Sequence, residues 1–179
     1  MKILILGTTG MLGHTLFKEL TENKSFEIYG TLRSKNDKQR YFSKSHKIFT
    51  DIDIIKPKKL FKIIKSLNPN IIINCIGIIK QLKQSKDPIS SLEINSLFPH
   101  KLAKHCEDKN TRIIHISTDC VFSGSKGDYY EHDNPDANDL YGKSKQLGEL
   151  VNYDNCLTLR TSIVGHELKS SVSLLNWFL

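Results

Sequence analysis

Tyr141 and Lys145 stand four residues apart in the stretch LYGKSKQLGEL, residues 140–150. On a helix, that spacing puts a phenol and an ammonium on one face. Such a pair can transfer a proton. A free phenol ionises near pH 10, and a neighbouring cation lowers that value toward the range where a general acid or base is useful. The pair alone decides nothing. With 6 tyrosines and 26 basic residues, four of them arginine, about 0.7 Tyr-x-x-x-Lys pairs are expected by chance, the false-positive risk of any short motif. Companion residues must decide.

The first companions lie at the other end of the chain. LILGTTGMLG places Gly7, Gly10 and Gly13 between an apolar run and an amphipathic segment. Residues without side chains let a backbone approach a pyrophosphate, and a helix N-terminus offers unpaired N–H groups and a positive dipole end. The spacing is G-x-x-G-x-x-G. Its position after a buried strand and before a helix makes it specific. About 20 residues on, a dinucleotide site that selects NAD would carry an acidic residue for the ribose 2′-hydroxyl. This chain instead reads YGTLRSK, with Arg33, Ser34 and Lys35. A guanidinium there suits a 2′-phosphate, so the sequence favours NADP over NAD.

These residues need a frame. Continuous apolar runs recur at 2–6, 26–32, 46–50, 70–74, 111–117 and 156–160. Helical patterns fall between them at 11–20, from Pro57 to 67, from about 89 to 107, and at 141–152. Strands apolar on both faces belong to parallel sheets covered on both sides. Strict alternation with helices then predicts an α/β fold with a doubly wound parallel sheet of the Rossmann type. Ligands of such folds bind beyond the carboxyl ends of the strands. That selects residues 7–13, 31–35, 51–54, 74–77, 117–122 and 160–164. The polar stretch 124–140 is a long loop, of the kind that is functional or mobile.

Composition bounds the rest. A chain of 179 residues with 39% hydrophobic and 25% charged residues suits one soluble domain. No apolar run approaches the roughly 20 residues of a membrane span. The formal charge of +7 is spread over scattered lysines without interleaved aromatics, so no nucleic-acid partner is expected; anionic small molecules fit better. Cys75, Cys106, Cys120 and Cys156 form no C-x-x-C pair and read as free thiols of a reducing cytoplasm. The histidines lack ligand spacing, and no metal is expected.

Taken together, GTTGMLG (7–13), DIIKPKKL (53–60), NPNIIINCIG (68–77), IN (94–95), ISTDCVFSG (116–124), YYEHDNPDANDLYGKSKQLGE (129–149) and LRTS (159–162) resemble the extended short-chain dehydrogenase/reductase family. Within it they look most like its dTDP-4-dehydrorhamnose reductase-like branch of sugar-nucleotide enzymes. The resemblance implies a catalytic triad of Thr118, Tyr141 and Lys145. It places Gly7, Thr9, Gly10, Met11 and Leu12, with Gly13, on the cofactor pyrophosphate, and Arg33 and Ser34 on the adenosine ribose. Asp53 and Ile54 fall beside the adenine, with Asp51 as a second carboxylate candidate. Cys75, Ile76, Gly77, Asn95, Ser117, Tyr141 and Lys145 complete the cofactor set. Thr118, Asp119 and Ile163 would meet substrate. The implied activity is NAD(P)H-dependent reduction of a 4-keto sugar nucleotide in deoxysugar or surface polysaccharide synthesis, in the cytoplasm, with a homodimer left open. A hydride from the cofactor and a proton from Tyr141 would reduce the ketone.

Departures from the branch fall where substrate is read. Cys120 replaces a tyrosine, Ile163 stands where a tryptophan is common, and GIIKQLKQ (77–84) is unusual. An epimerase or dehydratase on the same fold, or a non-catalytic dinucleotide-binding regulatory subunit, are the alternatives. Absence of Glu after Asp119 favours a reductase over a dehydratase, and retention of the triad favours an enzyme. The reading assigns 1–165 to the dinucleotide-binding domain and 166–179 to the start of a truncated substrate-binding region, with Trp177 and Phe178 lacking their apolar partners.

Overall fold

A computed structural model describes residues 1–169, Leu175 and Phe178. Six strands, Lys2–Leu6 (β1), Glu27–Thr31 (β2), Ile48–Phe49 (β3), Ile71–Asn74 (β4), Arg112–Ile116 (β5) and Cys156–Leu159 (β6), form one parallel sheet in the order β3-β2-β1-β4-β5-β6. This is the doubly wound arrangement expected from the apolar runs. Within β1, Leu4 and Leu6 face one core and Ile3 and Ile5 the other. The first core is closed by Leu60, Ile64 and Leu67 of α3 (Lys58–Leu67) and by Phe98 and Leu102 of α5 (Phe98–Cys106). The second is closed by Phe17 of α1 (Met11–Glu22). Strand order reverses between β1 and β4, and a crevice opens at their carboxyl ends.

Four elements differ from the sequence reading. Pro57 is the N-cap of α3, one residue ahead of its first turn. A short helix, α2 (Lys35–Tyr41), follows β2, and Ser34 caps it by accepting the Asn36 N–H at 3.2 Å. The single helix expected over 89–107 is α4 (Pro88–Ser91), a π-helical segment (Leu92–Leu97) and then α5. The helix expected over 141–152 is only α6 (Leu140–Gln146). It stops because residues 148–150 are needed elsewhere. A Cβ on Gly148 would lie 1.9 Å from the Asn95 carbonyl oxygen, and the Leu150 N–H donates to Thr158 Oγ1 at 2.9 Å.

The 124–140 loop is cross-linked within itself and to the two residues before it. Lys126 pairs with Asp133 at 2.7 Å, Phe122 stacks on Tyr129 at 4.3 Å, and Ser123 donates to Asp136 at 2.6 Å. Among the described residues no helix is long and apolar enough to cross a membrane. Most of 166–179, with Trp177, lies outside the described residues; Phe178 is exposed.

Candidate functional site

The glycine loop is shaped by two contacts. Gly7 has φ +81°, a left-handed conformation that side chains disfavour. A Cβ on Gly13 would lie 2.2 Å from the Gly7 carbonyl oxygen, whereas one on Gly10 would meet it at 3.5 Å, an ordinary contact. Gly7 and Gly13 are therefore required by the fold. Gly10, exposed at the N-cap of α1, is required only if something outside the protein approaches it. Gly13→Ala is expected to cost about 2 kcal/mol by overpacking, read as a lower midpoint in thermal unfolding, while Gly10→Ala leaves the midpoint nearly unchanged.

A cavity of about 310 Å³ opens in the crevice between β1 and β4. Of the residues assigned to a cofactor, Gly7, Thr9, Gly10, Arg33, Ile54, Cys75, Ile76 and Gly77 line it. Thr31, Leu32 and Ile52, inside the strand ends selected from the sequence but given no role there, also line it; Ile78, Leu82, Gln84, Ile94 and Lys169 line it and were missed. Burial alternates along 51–54, with Asp51 and Asp53 exposed and Ile52 and Ile54 buried. The expected carboxylate beside the adenine is thus not in the wall: Asp53 faces outward and accepts the Ile55 N–H at 2.9 Å. That alternation was the available signal. Met11 and Leu12 sit in the first turn of α1, outside the cavity lining. A larger hollow, about 590 Å³, lies at the opposite ends of the strands around Asn70 and Arg112 and shares no residue with this site.

The three residues expected to form a triad, Thr118, Tyr141 and Lys145, are outside the cavity lining. Thr118 follows β5 and caps a 3-10 turn, Asp119–Val121, by accepting the Cys120 N–H at 3.2 Å; its hydroxyl donates to Asp119 at 3.1 Å. Asp119 is exposed. Tyr141 and Lys145 lie on α6. Asp139 caps that helix through the Gly142 N–H at 2.9 Å, and a Cβ on Gly142 would lie 2.3 Å from the Cys120 carbonyl oxygen. Gly142 thus brings the phenol-bearing turn against the threonine-bearing turn.

Lys145 is 4% exposed and donates to the Ile116 carbonyl at 2.7 Å. A Cβ on Gly77 would lie 3.7 Å from its Nζ, so the ammonium reaches from α6 to the cavity wall. Burial pulls its pKa down to about 8, against the pull of Glu149 and Cys75. The same burial pushes the Cys75 thiol up to about 12.

The expectation that Lys145 holds the Tyr141 pKa down is not met. Burial moves the phenol above its usual range, Thr118 draws it partly back, and Cys120, Asp119 and Asp139 push it further up. Lys145 is not among the groups that move the phenol, and its ammonium is committed to the β5 carbonyl.

Asn95, buried in the π-helical segment, grips the backbone of Ile78 from both sides. Its Oδ1 accepts the N–H at 2.8 Å and its Nδ2 donates to the C=O at 3.2 Å, with a third bond to Ser144 at 3.1 Å. It fixes the strand-end backbone behind the cavity and couples it to α6. Ser117 is buried, and its hydroxyl donates to Glu149 at 2.9 Å, so that side chain serves the frame. Ile163 is exposed, outside the cavity lining.

The fit of a dinucleotide rests on this cradle: a left-handed Gly7, an open Gly10 at a helix N-terminus with no side chain capping it, and Arg33 at the rim. Residues 1–173 match the family model described as RmlD substrate binding domain. A dTDP-4-dehydrorhamnose reductase from Aggregatibacter actinomycetemcomitans is 32% identical over 165 residues, 90% of this chain and 51% of that protein. Methionine adenosyltransferase 2 subunit beta from Bos taurus is 28% identical over 156 residues, 87% of this chain and 44% of that one. Among solved structures, a dTDP-4-dehydrorhamnose reductase from Bacillus anthracis in complex with NADP superposes with TM-score 0.71 at 25% identity, over 89% of this chain and 52% of that one. The chain spans about half the length of the curated relatives it matches.

Proposed function

The chain belongs to the RmlD substrate binding domain family, a branch of the extended short-chain dehydrogenase/reductases, and we propose that it is the dinucleotide-binding part of an NADPH-dependent reductase of a 4-keto sugar nucleotide. One observation carries this reading. The switch-point cavity has glycine walls on one side, and on the other a buried ammonium that reaches it from the helix bearing Tyr141. The dinucleotide would lie along Gly7–Gly10, with Arg33 at the adenosine end and Lys145 at the nicotinamide end. When bound, it supplies the hydride. The chain's own residues do the rest: Thr118 receives the ketone oxygen by a hydrogen bond, and Tyr141 delivers a proton to it. The match to a reductase solved with NADP supports the cofactor choice.

The test is to mix the full-length protein with NADPH or NADH and a panel of dTDP-, UDP- and GDP-linked 4-keto sugars and follow loss of absorbance at 340 nm. Oxidation of NADPH by one sugar class is the expected result; none with any sugar defeats the reading. In the same preparation Gly10→Ala is expected to weaken NADPH binding by about tenfold or more, since a methyl group there blocks close approach of a phosphate. Arg33→Ser should weaken NADPH by a similar factor and leave NADH unchanged, as loss of a charged hydrogen bond predicts. A second reading, a dinucleotide-binding regulatory subunit, is favoured by the similarity to methionine adenosyltransferase 2 subunit beta. It predicts tight NADPH binding with no sugar reduced.

A further inference from the structure

The segment from Ile78 to Asp87 forms part of the cavity wall, contributing Ile78, Leu82 and Gln84 to its lining. It is fastened at both ends, by the Asn95 grip on Ile78 and by Asp87, which caps α4 through the Ile89 and Ser90 N–H groups. Between them Ser85 folds the segment back, donating to the Lys80 carbonyl at 2.9 Å. From the apex of this fold Lys80 reaches α6 and meets Asp139 Oδ2 at 2.9 Å, 59 residues away in sequence. The other oxygen of that carboxylate is committed to the Gly142 N–H that starts α6. One carboxylate thus joins the cavity-lining segment to the helical turn that carries Tyr141.

We propose that Lys80 is a positioning residue for Tyr141, tying the cavity-lining 78–87 segment to the start of α6 and neutralising the Asp139 carboxylate that caps the phenol-bearing turn. The assignment rests on the reductase reading for its purpose but not for its geometry. Both partners are half-exposed, with side-chain exposures of 59% and 46%, so the pair adds little to global stability. Its effect is local. The groups that face the Tyr141 phenol are Thr118, Cys120, Asp119 and Asp139, of which the last three disfavour its ionisation. Lys80 is the cation paired with Asp139, and Asp139, Cys120 and Tyr141 all favour its charged form. Without Lys80 the phenol would face the acidic groups alone, and the segment would lose its tie to α6.

The test uses the full chain carrying 13Cζ-labelled tyrosine, with the Tyr141 resonance assigned through Tyr141→Phe. Three variants are compared: Lys80→Met, Lys80→Arg, and Asp139→Asn, which keeps the helix cap because asparagine caps as well as aspartate. Lys80→Met is expected to raise the midpoint of the Tyr141 titration by about half a pH unit and to speed amide hydrogen exchange across 78–87 by about threefold, the sizes an exposed ion pair supports. Lys80→Arg should restore both. Asp139→Asn should speed exchange equally but lower the phenol midpoint, because it removes the offending charge with the tie. A general loosening of the fold would move exchange throughout the molecule and could not produce opposite shifts in the two variants. If either the midpoint or the exchange rate of 78–87 is unmoved in Lys80→Met, the proposal fails. Neither measurement needs dinucleotide or sugar, so a protein that reduces no sugar would defeat the reductase reading and leave this result to stand or fall separately.

Discussion

Tyr141→Phe is expected to lower kcat for ketone reduction by about 10²- to 10⁴-fold, the usual contribution of a positioned general acid, and to leave NADPH binding within about twofold. The ring stays and only the hydroxyl goes. Burial holds the phenol above its ordinary pKa, so in the protein without cofactor the proton that reduction must deliver is present throughout the neutral range. The companion effect is in pH. Lys145 has a folded pKa of about 8, so its ammonium is charged below that pH and neutral above it. If the charge serves the reaction, kcat/KM, which reports the free enzyme, falls as pH rises through about 8. Stability is a poorer readout of the same group. Between about 8 and the unfolded value of 10.5 the unfolded chain holds a proton that the folded chain has given up, so this lysine favours folding more as pH rises. Cys75 acts oppositely: its folded pKa of about 12 against 9.0 unfolded means its contribution is lost above pH 9. The two overlap, and kinetics separates what calorimetry would merge. A regulatory subunit would show no loss on Tyr141→Phe, since it has no turnover to lose.

The frame of this site could be read from the chain because it rests on periodicity. Runs such as ILIL (3–6) and III (71–73) are apolar at every position, which only a covered strand tolerates, and they fell where β1 and β4 lie. The glycine triplet was legible for a similar reason: Gly7 and Gly13 meet within a single turn, and the contact between them is local in sequence. What could not be read depends on which way a side chain points once distant elements meet. The Tyr141–Lys145 spacing placed both groups on α6 but could not show that Lys145 is drawn to the β5 carbonyl. The resemblance placed Asp53 beside the adenine, whereas its alternation with Ile52 and Ile54 turns its side chain to the exposed face. The π-helical segment around Asn95 left no mark on an apolar pattern that both helix types satisfy, and the Lys80–Asp139 tie joins residues 59 apart. The 141–152 pattern continued past the end of α6 because Leu150 is apolar for a different reason, its burial in the first core beneath the sheet end.

That sheet end supplies the other large effect. Glu149→Ala is expected to destabilise the fold by about 3 kcal/mol, in the range found when one partner of a buried ion pair is removed. For a domain of this size that lowers the urea midpoint by about 1 M. Glu149 is 7% exposed. Its Oε1 accepts from Arg160 Nε at 2.9 Å and from Ser117 at 2.9 Å, and its Oε2 accepts from Arg160 Nη2 at 2.8 Å. Arg160 then donates to the Glu131 carbonyl at 3.1 Å and lies over the Phe122 ring at 4.9 Å. The carboxylate therefore joins the ends of β5 and β6 to the 124–140 loop. Removing it leaves a partly buried guanidinium with one backbone acceptor and a buried serine hydroxyl without its carboxylate. The cost comes from what is left unpaired, and the double variant Glu149→Leu/Arg160→Met distinguishes this from simple loss of attraction. If desolvated charge is the penalty, the double variant recovers most of the stability lost in Glu149→Ala, because an apolar pair of similar size has no charge to bury. If the attraction itself carried the stability, the double variant is at least as unstable as the single one. Thr118 follows Ser117 directly, so the single variant is also expected to lose activity at temperatures where it is still folded, while the double variant keeps the fold and shows how far the triad depends on the Ser117 hydrogen bond alone.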